Sequence, residues 1–240
     1  MIDYRAFLSR AGLNMQGSAI RRTSTLTAGV PDLISFAPGY PDPAVFAWAE
    51  YRDIAADILD GTDGDTLQYG PTRGYEPLVN ALPEILAARG ITATTEEMLV
   101  TTGSQQGLDL LAGTLFDPGD VVLVELPVFT GAIAAFRDSG AALAGVRQDA
   151  GGIDLDDLDA VVRRERQAGH SVRCVYVVPN FQNPTGRLMS LARRRGLLEL
   201  AETHDLLILE DDPYGDLYFD DGDAPLTRPL KADDREGRVV

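Results

Sequence analysis

From about Leu82 onward the chain alternates short apolar runs with longer amphipathic ones, and no other feature of the sequence constrains its fold as tightly. A strand covered on both faces reads as an unbroken apolar run, whereas a helix lying on a sheet shows apolar residues on one side only. Runs of the first kind lie at 98–101, 121–125, 143–147, 172–178 and 206–210. Helical stretches open at Ser104, near Thr130, at Asp154 and near Ser190, and turns such as Asp117-Pro118-Gly119-Asp120 punctuate them. The order βαβαβαβαβ predicts an α/β sheet, mostly parallel, with helices on both faces.

Upstream of this alternation, residues 1–30 read as an arm with two short helices. Residues 43–59 and 75–89 read as further helices joined by the glycine-rich turn 61–74. Residues 220–240 are loop-like, and Arg238-Val239-Val240 looks like a strand just begun. The expected division is an arm over 1–35 and one large domain over 36–240.

With 240 residues, 45% of them hydrophobic, the chain can bury a sizeable core. Its 37 acidic against 21 basic residues, a net charge of -16, would repel nucleic acid and anionic lipid, so neither is expected as a partner. Cys174 is the single cysteine, which excludes a disulfide framework and a cysteine zinc site, and a reducing cytoplasm fits best. No stretch approaches the roughly 18 to 20 apolar residues of a membrane span. His170 and His204 lack metal-ligand spacing and receive no role.

Three stretches carry candidate chemistry. Thr101-Thr102-Gly103-Ser104-Gln105-Gln106-Gly107 follows a strand and opens a helix, whose first N–H groups have no intrahelical partners and suit a phosphate, although a Gly-Ser turn is also a common plain cap. Pro179-Asn180-Phe181-Gln182-Asn183-Pro184-Thr185-Gly186 follows the run 172–178, at the strand end where ligands of open parallel sheets gather, although the same letters also make a rigid turn. Glu210-Asp211-Asp212-Pro213-Tyr214 sits at another such end, where an Asp and a Tyr three residues apart can face one cleft.

In order and spacing, these stretches resemble the fold-type I, class I/II aminotransferases. Tyr4-Arg5-Ala6-Phe7-Leu8, Ser18-Ala19-Ile20-Arg21, Ile34-Ser35-Phe36-Ala37-Pro38-Gly39-Tyr40-Pro41-Asp42-Pro43 and Leu67-Gln68-Tyr69-Gly70 resemble the branch with 2-aminoadipate and kynurenine aminotransferases. The resemblance implies a three-layer sandwich, the large domain of that fold, with pyridoxal 5'-phosphate as cofactor and an amino acid and a 2-oxo acid as substrates. It implies that Asp211 bonds the pyridine nitrogen, that Asn183 and Tyr214 bond the phenolic oxygen, and that Gly103, Ser104 and Gln105 form the phosphate cup. Phe129, in place of the family's usual tyrosine, stacks on the ring without offering a hydroxyl. Tyr69 matches a tyrosine that reaches the partner subunit's phosphate, which implies a homodimer. Gly39 matches a position where backbone lies close to substrate, and Arg21 matches an arginine that faces the substrate side chain; an exposed helix arginine is the alternative for Arg21.

The family also needs a lysine that joins the cofactor covalently and moves the reacting proton. The only lysine here, Lys231, stands in a turn-like stretch with no Ser-x-x-Lys around it and is expected at the surface. The resemblance places the family's lysine about 5–10 residues beyond Val240. The small C-terminal domain and two later arginines, one for phosphate and one for the substrate carboxylate, are likewise expected outside these residues. The expectation is therefore a fold incomplete at its C-terminus and a chain inactive and poorly soluble alone. A non-catalytic binding subunit, or the effector domain of a transcription regulator, is the contrasting expectation. Elimination or decarboxylation on the same fold is a third.

Overall fold

Valine, leucine and isoleucine fill the central strands because a parallel strand covered on both sides has no solvent face to furnish with polar residues. The computed structural model describes residues 2–15, 26, 30–34, 39–61, 64–219 and 225–240. Its main sheet contains β1 (Val121–Glu125), β2 (Ala142–Val146), β5 (Val172–Val177) and β6 (Leu207–Glu210), all parallel, in the order β2-β1-β5-β6. Val239 adds a parallel bridge to Ile208 beyond β6, as the strand-like ending suggests. A small antiparallel pair, β3 (Gln148–Asp149) with β4 (Gly152–Ile153), lies outside this sheet.

Seven helices are described: α1 (Arg10–Asn14), α2 (Trp48–Asp60), α3 (Glu76–Ala88), α4 (Ser104–Leu115), α5 (Thr130–Asp138), α6 (Leu155–Gln167) and α7 (Leu191–Thr203). Successive strand side chains point to opposite faces, so each central strand serves two cores. Leu123, Val175 and Ile208 meet Leu158 and Val161 of α6 and Leu197 of α7. Val124, Tyr176 and Leu209 meet Leu108 of α4 and Ala132 and Phe136 of α5. The result is three layers, helix on sheet on helix, as expected.

The winding explains which helix covers which face. From β1 the chain steps outward to β2 through α5; it then returns past β1 to β5 through α6, and on to β6 through α7. Parallel crossovers keep one hand, so a reversal of direction in the sheet moves the helices to the other face. That reversal falls between β1 and β5. In open parallel sheets the loops at the carboxyl ends of such a strand pair run to opposite faces, and ligands gather there.

The structure departs from expectation in particular places. Residues 98–101 form no strand: Met98 is extended, but no ladder follows, and the Val100 N–H goes to the Arg73 carbonyl, 3.0 Å away. An apolar run states burial preference, not the presence of a neighbour to pair with. The strand expected at 143–147 runs one residue earlier. The helix expected over 43–59 is a short 3-10 turn, Pro43–Val45, followed by α2. No residue of α2 is buried, and its apolar stripe of Trp48, Tyr51, Ile54 and Ile58 faces solvent. The loop expected at the end contains a 3-10 turn, Leu230–Asp233, whose Leu230 is buried. No helix among the described residues is long and apolar enough to cross a membrane.

Candidate ligand site at the carboxyl ends of the sheet

Asp211 directly follows β6, and its N–H donates to the Val177 carbonyl at 3.0 Å, which extends the β5–β6 ladder by one bond. The Tyr176 hydroxyl, on the neighbouring strand, donates to Asp211 Oδ2 at 2.7 Å. Burial pushes the Asp211 carboxyl above its ordinary range; the Tyr176 hydrogen bond pulls it down, and the charge of Asp212 pushes it up. Burial likewise raises the Tyr176 phenol, with Asp211 and Glu125 adding to the effect, so it keeps its proton and remains a donor. Among the described residues, Asp211 Oδ1 accepts no hydrogen bond.

The adjacent Asp212 points elsewhere. It pairs with Arg89, and its Oδ1 accepts from Asn180 Nδ2 at 2.8 Å. The two neighbouring carboxylates are thus divided between tasks, Asp212 bracing the frame and Asp211 facing the cleft residues.

The loop after β5 is held by side chains. Gln182 Nε2 donates to the Pro127 carbonyl at 2.8 Å, while Gln182 Oε1 accepts from the Thr185 N–H and hydroxyl at 3.0 and 2.7 Å. Arg194, buried within α7, donates to Asn180 Oδ1 and to the carbonyls of Pro179, Met189 and Arg228. So fixed, the loop places Asn183 Nδ2 3.2 Å from the Tyr214 hydroxyl, to which it donates. Tyr214 itself packs against the same core as Tyr176 and Phe129.

The third part of the site is the start of α4. Its N-cap is Gly103, at φ 78° and ψ 167°, and no side chain caps the helix, so Ser104 is its first helical residue and not a plain cap. Free N–H groups at a helix start favour an anion by roughly 0.3–1 kcal/mol, more when partly buried. Gln105 ties this end to α5, donating to the Gly131 carbonyl at 3.2 Å and to Asp109 at 3.2 Å. Phe129 precedes α5, and its ring edge lies where a Cβ on Gly131 would fall, 2.5 Å away. Gly131 is therefore glycine for the sake of Phe129 and Gln105.

The structure thus joins Asp211 to Tyr176 and Asn183 to Tyr214, and it links Gln105 with Phe129 through Gly131. Tyr69 and Gly39 stand apart from these groups among the described residues. Tyr69 is exposed, with its N–H bonded to its neighbour Gln68. Gly39 has φ 59° and nothing within 4 Å of where a Cβ would stand. Arg21 lies outside the described residues. Lys231, expected at the surface, is partly exposed there, and its Nζ donates to Asp234 at 3.2 Å and to the Val239 carbonyl at 2.8 Å. His170 pairs with Glu165 and His204 with Asp159.

Tyr176, Glu125 and Arg194 were not legible as site residues. Glu125 ends a fully apolar strand and is itself 1% exposed, accepting the Val178 N–H at 3.0 Å; burial pushes its carboxyl up to about 7. Its only sequence signal is a charge closing the run Val121-Val122-Leu123-Val124.

A parallel sheet covered on both faces, with an uncapped helix start and a half-buried carboxylate at one end of it, defines a ligand-binding α/β protein of the doubly wound class. The chain belongs to the class I and II aminotransferases, whose family profile matches residues 40–240. It is 36% identical over its whole length to aromatic-amino-acid aminotransferase 1 of Thermococcus litoralis, covering 57% of that protein. Over 220 residues it is 42% identical to 2-aminoadipate transaminase of Thermus thermophilus, covering 92% of this chain and 52% of the relative. The kynurenine aminotransferase of Pyrococcus horikoshii, solved in complex with PMP, KYN and KYA, superposes with a TM-score of 0.89 at 37% identity, over 99% of this chain and 58% of that one. The chain thus spans little more than half the length of these relatives.

Pyridoxal phosphate is the cofactor of this family, and the residues present fit it. The open helix start suits its phosphate, the free oxygen of Asp211 suits a protonated ring nitrogen, and the Asn183–Tyr214 pair suits an anionic ring oxygen.

Proposed function

We propose that these residues form the cofactor-binding part of a pyridoxal-phosphate-dependent aminotransferase, which moves an amino group between an amino acid and a 2-oxo acid. The observation that carries this reading is the free Oδ1 of Asp211, on a carboxylate whose other oxygen is held by Tyr176. When bound, the cofactor supplies a protonated ring that draws electrons from the substrate α-carbon. Asp211 holds the proton on the ring nitrogen. Asn183 and Tyr214 bond the ring oxygen and orient the ring. Gly103, Ser104 and Gln105 receive the phosphate, while Phe129 covers one ring face and keeps water from it. Gly39 and Arg21 are assigned to the substrate.

Lys231, with its ammonium held by Asp234 and the Val239 carbonyl, is assigned no chemical step, and the 240 residues alone are expected to be inactive. We assign residues 36–240 to the large domain and 1–35 to the arm, in a cytoplasmic homodimer. The exposed stripe on α2 and the exposed Tyr69 support the dimer.

Titrating the folded chain with pyridoxal phosphate, followed by fluorescence, tests the reading. Saturable, non-covalent binding is expected, with Asp211→Asn weaker by about tenfold or more, since a hydrogen bond to a charged partner contributes ~1.5–3 kcal/mol. A folded chain that shows no saturable binding would overturn it.

A further inference from the structure

We infer that Tyr176 is a positioning residue for the cofactor: its hydroxyl occupies Oδ2 of Asp211 and leaves Oδ1 as the single oxygen offered to the ring nitrogen. This deepens the reading of the cleft as a pyridoxal-phosphate site and rests on it. Both ends of the hydrogen bond are fixed. Tyr176 is 1% exposed, and its ring is held edge-on by Phe136 of α5, with centroids 5.5 Å apart. Phe136 is held edge-on in turn by Phe116, at 5.8 Å. In the β5–β6 register Tyr176 stands opposite Leu209, two residues before Asp211, so both side chains lie on the same face of the sheet. The Asp211 backbone is anchored by its bond to Val177.

The carboxylate gains more than an orientation. The groups that act on it are Tyr176 from β5 and Asp212 from its own loop, while Glu125 of β1 and Tyr214 act on Tyr176. Arg89, which pairs with the adjacent Asp212, is taken by Asp212 and Asp216. Burial and Asp212 both favour a protonated Asp211, and a protonated Asp211 offers the ring nitrogen no negative charge. The Tyr176 hydroxyl is the group that opposes them. A lysine or arginine there would also keep the carboxylate ionised, but would neutralise the charge that the ring nitrogen requires. A buried phenol does so without cancelling it.

The test is Tyr176→Phe, which keeps the ring and its contact with Phe136. In the cofactor-free chain with 13C-labelled aspartate, the Asp211 carboxyl is expected to titrate about one pH unit higher in the variant than in the unaltered protein. With 15N-labelled pyridoxal phosphate bound at neutral pH, the ring nitrogen is expected to move toward its unprotonated shift, and affinity to fall about threefold to tenfold. An unchanged carboxyl titration together with an unchanged 15N shift would overturn the inference, even if affinity fell through a change of packing. Should the variant not fold, the unaltered chain still decides: its Tyr176 ring-carbon resonance must move through the same midpoint as the Asp211 carboxyl, and independent midpoints would overturn the inference. Failure of the unaltered chain to bind the cofactor would instead count against the proposed function, leaving the carboxyl titration to decide the role of Tyr176.

Discussion

Glu125 shows how a single side chain can oppose the fold that contains it. It is ionisable, 1% exposed and compensated by one backbone N–H, so burial raises its carboxyl from 4.5 to about 7. A carboxyl raised on folding stabilises the folded state below the unfolded value near 4.5, and that contribution is lost as pH rises through about 7. Glu125→Gln keeps an acceptor for Val178 and removes the charge. Urea unfolding should show the variant more stable at pH 8 by up to about 3 kcal/mol, with the gap closing toward pH 4.5. Equal gaps at both pH values would mean that Glu125 is not the titrating group. Glu210, also raised to about 7 although two N–H groups bond it, adds to the same slope in the unaltered protein. In the sequence Glu125 marks the end of a strand, as a charge after an apolar run usually does. That the strand's end is covered depends on the loops folded over it, which no local pattern records.

At the scale of elements, the helix and strand assignments held where a cap or a long apolar run marked them. Asp154 caps α6 by accepting from Asp156 and Asp157, and Ser190 caps α7 by accepting from Arg193, as their places before amphipathic stretches imply. The start of α4 differs, because Gly103 replaces a side-chain cap and takes a backbone conformation nearly confined to glycine. A Cβ there would meet nothing within 4 Å, so the penalty of Gly103→Ala is one of backbone strain, not collision. We expect it to lower stability by about 1–3 kcal/mol and to weaken pyridoxal phosphate binding. Ser104→Ala, which removes no cap, should leave stability within about 0.5 kcal/mol while weakening the cofactor. Thermal unfolding of the two variants separates these roles, and equal losses of stability would contradict them. The run 98–101 failed as a strand for a related reason: propensity describes a segment, whereas a ladder needs a second one.

For the whole molecule, the stripe of α2 is an amphipathic face left exposed, with Trp48 set edge-on to Phe46 at a centroid distance of 5.7 Å. Trp48, Tyr51, Ile54 and Ile58 recur at helical spacing, a pattern that ordinarily faces a core. Sedimentation velocity should show the chain self-associating, with Ile54→Asp combined with Ile58→Asp weakening association by about tenfold or more. An association constant unchanged by both charges would remove α2 from the dimer proposal. The sequence by itself determined the alternation of strands and helices from Val121 to Glu210 and the loops that carry polar groups, though not the failed strand at 98–101 or the small β3–β4 pair, because periodicity and turn chemistry act over a few residues. Only the tertiary structure decided that β1 lies between β2 and β5, that Arg194 rather than its neighbours is buried, and that Tyr176 meets Asp211 across 35 residues of chain. Those outcomes follow from strand pairing and burial, which are settled between distant segments and leave no local signature.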